Sequence, residues 1–163
     1  MGINKLALLL LLPAAFLAAC GVQPRAAAKP QRERPPCERS AALLPGTGFE
    51  PALDGVRTAA ANGLLAKIAA CEALPFAEDH TVFGNREGRL PPRPRGYYLE
   101  YSFPVPGRKA GDAPAQVNVG TATLVSGTIT TPRGPERLVI GGGREIYYTP
   151  DHYLNFVALT IAR

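Results

Sequence analysis

One carboxylate lies in the middle of the most strand-like stretch of the sequence, residues 96–103. Alternation with period two gives this stretch two faces. The face predicted to pack in a core contains Tyr97, Leu99, Tyr101 and Phe103. Glu100 lies on the other face, where strands more often carry β-branched or aromatic residues. Its position makes Glu100 a candidate general base.

Three other side chains are predicted to surround Glu100. Arg137 alternates with apolar residues in a predicted strand over residues 136–140, so it shares the face of Glu100 if those apolar residues face the helix. His152 lies in a turn between two predicted strands, and Arg133 lies in a loop. A carboxylate, an imidazole and two guanidinium groups could supply the base, the acid and the fixed positive charge for in-line displacement at a phosphodiester.

Each of these residues also has a simpler structural interpretation. Glu100 could form a cross-strand ion pair with Arg137, which contributes less than about 1 kcal/mol. His152 could bond to the backbone of its own turn. The residues alone leave both interpretations open.

One amphipathic helix is predicted over residues 55–73, with Asp54 as its N-cap. Residues spaced by three and four predict its buried face, which contains Val56, Ala59, Ala60, Leu64, Ile68 and Cys71. Leu74 and Pro75 follow the helix, and proline is expected to stop it.

Period-two alternation predicts strands over residues 81–83, 96–103, 136–140, 144–149 and 153–161. One N-terminal helix followed by strands with short connections predicts an α+β fold, in which the helix packs on one face of an antiparallel twisted β-sheet. The opposite face, which carries Glu100, is expected to be open. Residues 108–132 are expected to form an inserted, protruding β-hairpin, and residues 113–131 contain no titratable side chain.

The amino end has the pattern of an export signal. Residues 1–19 contain one lysine and then an apolar run that is too short to span a bilayer, as in a lipoprotein signal peptide. Cys20 follows small residues in a sequence that resembles a bacterial lipobox, and Gly21 after it suggests an outer-membrane or cell-surface location. An ordinary signal peptide with an incidental cysteine is the alternative. Residues 20–36 are predicted to hold the lipid anchor and a disordered tether, and residues 37–163 the folded domain.

The charge and cysteine content limit the possible functions. The 163-residue chain has a formal net charge of +5, and residues 21–36 carry four basic residues against one acidic residue. The rest of the chain is nearly neutral, which argues against sequence-blind coating of nucleic acid. The basic residues of the tether could lie against anionic headgroups, although a solvated spacer is the simpler interpretation. Cys37 and Cys71 are disulfide candidates in an oxidising compartment, with two free thiols as the alternative.

Three motifs in order resemble the microbial guanyl-specific ribonucleases, the barnase-like family. They are Phe-x-Asn-Arg-Glu at 83–87, Gly-Tyr-Tyr-x-Glu-Tyr at 96–101 and Tyr-Tyr-Thr-x-Asp-His-Tyr at 147–153. The resemblance covers residues 54–160 apart from the inserted hairpin. It implies that Glu100 is the general base on the ribose 2′-OH and His152 the general acid on the leaving 5′-oxygen, without a metal or a cofactor. It further implies that the phosphate contacts are made by Arg133, Arg137 and Tyr153.

The same resemblance assigns residues 83–87 to the binding of guanine. Glu87 would accept the guanine N1–H and 2-amino hydrogen bonds, and the N–H groups of Asn85 and Arg86 would meet O6. The Asn85 side chain would brace the loop, and Phe83 would offer a ring surface. Gly84 stands where relatives usually carry a larger side chain, which is expected to loosen this loop.

Two functions are compatible with the sequence. The first is a metal-independent endoribonuclease that cleaves single-stranded RNA 3′ of guanosine and is tethered to the bacterial envelope. The resemblance implies a monomer with RNA as substrate and a possible inhibitor protein of the barstar type. The second is a non-enzymatic lipoprotein that keeps the fold and binds a partner through the inserted hairpin. The insertion and Glu136, which is predicted to point away from Arg137, are departures that affect phosphate binding more than chemistry.

Overall fold

The computed structural model describes residues 32–163, so the predicted signal peptide, Cys20 and most of the tether lie outside the described residues. Eight strands and one helix follow a short 3₁₀ turn at Ala41–Leu43. In chain order these are β1 Gly48–Glu50, α1 Gly55–Ala70, β2 Thr81–Val82, β3 Tyr98–Ser102, β4 Gln116–Val119, β5 Ala122–Val125, β6 Arg137–Gly141, β7 Glu145–Thr149 and β8 Val157–Ala162.

Six of the strands form one antiparallel sheet in the order β1-β8-β7-β6-β3-β2, and β4 and β5 form a separate hairpin. The helix packs on one face of the sheet, so the predicted α+β fold is confirmed. The strand β1 was not predicted. The last strand begins four residues later than predicted, because His152 and Tyr153 have φ values of 55° and 75° and form a turn.

The helix begins as predicted but presents a different face to the core. The Asp54 carboxylate accepts a hydrogen bond from the Arg57 backbone N–H. The buried residues are Arg57, Ala61, Leu65, Ile68 and Ala69. Of the predicted stripe, Ile68 is buried in the core and Ala60 and Leu64 pack against it, whereas Ala59 is exposed and Val56 is 50% exposed. An alanine-rich helix has little amphipathic contrast, so the buried ion pair of Arg57 could not be anticipated from spacing.

The helix ends at Ala70, three residues before the predicted end. Cys71 adopts a left-handed conformation, with φ 58°, and its N–H caps the last turn by donating to the carbonyl groups of Ile68 and Lys67. Cys71 is bonded to Cys37, with the two Cα atoms 5.8 Å apart. The disulfide therefore fastens the segment that leads into the domain to the end of the helix.

The sheet is covered on both faces. The main core lies between the helix and the sheet and includes Leu65, Tyr101, Phe103, Leu138 and Tyr148. On the other face, a second cluster is formed by Leu90, Tyr98 and Val139 with the partly buried aromatic residues Phe83, Tyr97, Tyr147, Tyr153 and Phe156.

The expectation of an open second face is therefore wrong, and Glu100 is only 2% exposed. The loop that contains Phe83 and Leu90 folds over this face, as does the turn that contains Tyr153 and Phe156. Tyr97 was predicted to face the main core. It joins the second cluster because it precedes the start of β3 and is outside the alternation.

The inserted hairpin packs on the main core and does not protrude as predicted. Val117 and Val119 are 1% and 2% exposed. Leu53 forms a β-bridge with Val119, and the N–H of Gly120 donates to the Ala52 carbonyl at 2.7 Å. The alternating valines thus make the hairpin part of the domain.

The segment 32–36, which the sequence analysis assigned to the tether, contacts the domain. The N–H of Val82 donates to the Glu33 carbonyl at 2.9 Å, and the Pro35 carbonyl lies 3.0 Å from Nε2 of His80. These contacts follow the free edge of β2. Within the described part of the chain, no helix combines the length and the apolar character needed to cross a bilayer.

Candidate active site

Glu100 lies at the centre of the second face, on β3, between β2 and β6. Its Oε2 atom accepts a hydrogen bond of 2.5 Å from the hydroxyl of Tyr153. Its Oε1 atom contacts the guanidinium of Arg32 and lies 3.7 Å from Nη2 of Arg133. Both oxygens of this buried carboxylate are therefore held by groups that stabilise a negative charge.

Arg137 shares the face of Glu100, as predicted. It pairs with Ser102 in the β3–β6 register, two residues along β3 from Glu100. Its Nη1 group donates to the carbonyl groups of Gly134 at 2.8 Å and Glu136 at 2.6 Å. Burial, followed by the positive charge of Arg133, lowers the pKa of the Arg137 guanidinium below its usual value.

Arg133 reaches the same region from the loop before β6. Its Nε group donates to the Ser102 hydroxyl at 2.8 Å and lies 3.7 Å from a carboxylate oxygen of Glu78. Among the described residues, Nη2 of Arg133 and Nε of Arg137 are buried without a hydrogen-bond partner. Unpaired buried donors are costly, so two of them on neighbouring guanidinium groups indicate a site for an anion with several acceptor oxygens.

His152 lies at the rim of this region, in the turn between β7 and β8. The backbone N–H of His152 donates to the Pro135 carbonyl at 3.1 Å, and its ring centroid lies 4.5 Å from that of Tyr153. The residue is exposed overall, but partial burial of the imidazole, followed by the charge of Arg137, lowers its pKa below the ordinary 6.5. His152, Arg133 and Arg137 line one cleft of about 440 Å³.

Tyr153 connects the catalytic candidates to the predicted base-binding residues. Burial, followed by the charge of Glu100, raises the pKa of the Tyr153 phenol well above its usual value, so the phenol stays a hydrogen-bond donor. The ring of Phe83 lies 4.9 Å from that of Tyr153 and 5.8 Å from that of Phe156. The candidate base pocket and the candidate phosphate site are therefore adjacent.

The loop after Phe83 is held by the side chain of Asn85. Asn85 adopts φ 44°, and its side chain donates to the Leu90 carbonyl at 2.8 Å and accepts from the Leu90 N–H at 3.0 Å. Gly84, Arg86 and Glu87 are exposed. The polar edge of this loop is therefore available to a ligand while its backbone is fixed.

Sequence reasoning missed two groups that complete the site. Arg32 contacts Glu100 but lies in a basic segment without apolar periodicity, so no pattern connected it to the sheet. Arg57 forms a two-point ion pair with Glu136, with N–O distances of 2.9 and 2.7 Å, and Tyr148 also donates to Glu136. Glu136 thus points away from Arg137, as predicted, and fixes the start of β6 from the opposite side of the sheet.

Within residues 32–163, no three His, Cys, Asp or Glu side chains are grouped as metal ligands. The site groups a carboxylate, an imidazole, a phenol and two arginines on one face of the sheet. A family model described as ribonuclease matches residues 52–160. The chain therefore belongs to the ribonuclease family.

Three curated relatives within this family are guanyl-specific ribonucleases. The chain is 40% identical over 82 residues to guanyl-specific ribonuclease St of Saccharopolyspora erythraea, covering 50% of this chain and 59% of that protein. It is 34% identical over 84 residues to guanyl-specific ribonuclease Sa3 of Kitasatospora aureofaciens, covering 51% and 44%. It is 33% identical over 96 residues to guanyl-specific ribonuclease Sa of the same organism, covering 59% and 78%. These relatives confirm the resemblance to the microbial guanyl-specific ribonucleases.

Solved structures of ribonuclease Sa2 also align with the chain. A structure of its complexes with mononucleotides has a TM-score of 0.45 at 35% identity, covering 61% of this chain and 81% of that one. A structure with guanosine-2′-cyclophosphate has a TM-score of 0.44 at 34% identity, covering 61% and 83%.

Proposed function

We propose that this protein is an endoribonuclease that cleaves single-stranded RNA 3′ of guanosine through a 2′,3′-cyclic phosphate. The observation that carries the proposal is that Arg133 and Arg137 each have a buried guanidinium donor without a hydrogen-bond partner, beside the buried carboxylate of Glu100. Family membership and the guanyl-specific relatives support the same conclusion.

In the first step, Glu100 removes the proton from the ribose 2′-OH, and the 2′-oxygen attacks phosphorus. His152 gives a proton to the leaving 5′-oxygen, so the P–O5′ bond breaks and a neutral hydroxyl leaves. Arg133 and Arg137 bind the non-bridging oxygens, where negative charge grows in the transition state. DNA is not a substrate because it lacks the nucleophile.

In the second step, water opens the cyclic phosphate with the roles reversed. His152 is now neutral and takes a proton from water, while the protonated Glu100 returns a proton to the 2′-oxygen. Both steps require access to the Oε1 atom of Glu100, which Arg32 contacts. The Arg32 side chain is 56% exposed and can move aside without disturbing the core.

Guanine selectivity is assigned to residues 83–87. The Glu87 carboxylate accepts the N1–H and the 2-amino group of guanine, whereas adenine presents an acceptor at N1 that a carboxylate repels. The N–H groups of Asn85 and Arg86 bind O6, and Phe83 supplies a ring against the base. The fixed loop and the exposed Glu87 support this assignment.

The test compares cleavage of the dinucleotides GpU and ApU by the wild type and by Glu100→Gln, in buffer with a chelator. We expect a strong preference for GpU and a loss of at least about 100-fold in kcat for Glu100→Gln. Glu50→Gln, an exposed carboxylate on the edge strand β1, is the matched control and should keep full activity. Absence of GpU cleavage by the wild type would contradict the proposal and support the non-enzymatic alternative.

We further propose that the enzyme is tethered to the bacterial envelope through a lipid on Cys20. The apolar run before Cys20 and the basic, proline-rich residues after it support this localisation. An inhibitor protein of the barstar type remains an expectation for a cell that makes such an enzyme.

A further inference from the structure

The cleft that contains His152, Arg133 and Arg137 has a second wall that belongs to the insertion. This wall is formed by the segment after β5 and includes Thr128, Thr130 and Thr131, whose side chains are exposed. The insertion therefore lines the same cleft as the proposed general acid. Three exposed threonine residues thus line a space that the family motifs do not assign.

Hydrogen bonds fix this wall to the rest of the domain. The N–H of Gly127 donates to the Pro150 carbonyl at 3.1 Å, which joins the segment to the turn that carries His152. The N–H of Gly111 donates to the Ile129 carbonyl at 2.8 Å, and the Ile129 side chain is 7% exposed. A Cβ atom at Gly127 would lie 2.9 Å from Pro135, so the two segments are in close contact. The threonine wall is thus preorganised and is not a loose loop.

The position of His152 sets which part of RNA faces this wall. His152 protonates the leaving 5′-oxygen, so the space beside it lies on the leaving-group side of the scissile phosphate. Glu78 also lines the cleft and lies near Arg133, which disfavours a second phosphate at that end. A neutral ribose and base, which offer hydroxyl and amide hydrogen-bonding groups, fit threonine hydroxyls better.

We propose that the insertion builds a subsite for the nucleoside that follows the scissile phosphate. The hydroxyls of Thr128 and Thr130 hydrogen-bond to this leaving nucleoside and align its 5′-oxygen with His152. The inference rests on the proposed function. It makes the insertion a source of substrate contacts in the first step only, because water replaces the nucleoside in the second step.

This difference between the two steps provides the test. The double variant Thr128→Val/Thr130→Val should lower kcat/KM for GpU cleavage by about 5- to 20-fold, as expected for the loss of two hydrogen bonds. Hydrolysis of guanosine 2′,3′-cyclic phosphate by the same variant should be unchanged. Thr121→Val, at an exposed position in the tip of the same hairpin, is the matched control and should alter neither reaction.

Each other outcome overturns the subsite. Equal losses in both reactions would mean a general disturbance of the site, and unchanged GpU cleavage would mean that the threonines do not touch substrate. If the wild type cleaves GpU with a kcat/KM no higher than its kcat/KM for hydrolysis of guanosine 2′,3′-cyclic phosphate, the leaving nucleoside contributes no binding energy. That result would overturn the subsite and leave the proposed function intact. A wild type that is inactive on both substrates would overturn the proposed function together with the subsite.

Discussion

His152 must carry a proton to act as the acid, yet its surroundings favour the neutral ring. Partial burial, followed by the positive charge of Arg137, lowers its pKa below 6.5. The arginine that we propose to bind the phosphate therefore also makes the imidazolium a stronger acid. The consequence is a shift of activity toward acidic pH.

We expect kcat/KM for GpU cleavage to fall as pH rises through a value below 6.5. The protonated fraction of His152 is lost there, and kcat/KM reports the free enzyme. The measurement is a pH profile between about pH 4 and 9. Hydrolysis of guanosine 2′,3′-cyclic phosphate provides an internal control, because neutral His152 is then the base and activity should rise through the same value. An alkaline limb at pH 7 or above for GpU would contradict the assignment.

Arg32 contacts the oxygen of Glu100 that, in the proposed mechanism, takes the proton of the 2′-OH. An ion pair with a mostly exposed partner contributes about 0.2–1 kcal/mol, so moving Arg32 away from Glu100 requires a small amount of free energy. We expect Arg32→Ala to raise kcat/KM for GpU by about 1.4- to 5-fold at low salt. The gain should shrink at high salt, where the pair is screened.

The control for Arg32 is Arg39→Ala, which removes an exposed arginine from the same leading segment. This variant should have wild-type kinetics at every salt concentration. A fall in kcat/KM with Arg32→Ala would contradict this expectation. It would indicate that Arg32 binds the phosphate and does not block the general base Glu100.

At the scale of the elements, the start of β6 is fixed from both sides of the sheet. Arg57 on the helix holds the Glu136 carboxylate in the main core, and the next residue, Arg137, projects into the site. Burial opposes the charge on Arg57, but the hydrogen bonds to Glu136 and Asp54 outweigh it and raise the guanidinium pKa well above its usual value. The helix thereby positions Arg137, the proposed phosphate-binding arginine, from the opposite side of the sheet.

Glu136→Ala should lower the free energy of unfolding by about 3 kcal/mol, because it leaves the Arg57 charge buried with only Asp54 as a partner. Urea denaturation measures this change. Arg95→Ala removes an exposed ion pair with Glu33 and is the control, with an expected change below about 1 kcal/mol. Equal effects of the two variants would mean that the buried pair is not structural.

The sequence predicted the positions of the strands better than the tertiary contacts that cover them. Period-two alternation located β3 and placed Glu100 and Arg137 on one face, because strand geometry fixes that relation locally. It could not predict that Phe83 and Tyr153 would cover this face, since both come from distant loops. Alternation in the insertion predicted a hairpin, but whether Val117 faces the core or solvent depends on contacts with residues far along the chain.

At the scale of the whole molecule, the number of residues between Cys20 and Arg32 limits the length of the predicted tether. Residues 20–32 span at most about 43 Å when fully extended. If Cys20 carries a lipid, this length is the upper limit on the separation between the lipid-bearing residue and Arg32.

We expect Cys20→Ser to move the protein from the membrane fraction to the soluble fraction of the expressing bacterium. A serine hydroxyl cannot accept the thioether-linked lipid, and the apolar run before residue 20 is too short to span a bilayer. Fractionation followed by a GpU assay measures both location and activity. The specific activity should not change, since a dinucleotide reaches the site freely and Cys20 lies outside residues 52–160, which match the family.

A wild type found in the soluble fraction would contradict the lipid anchor. Loss of activity in the released variant would instead mean that the segment before Arg32 takes part in the site.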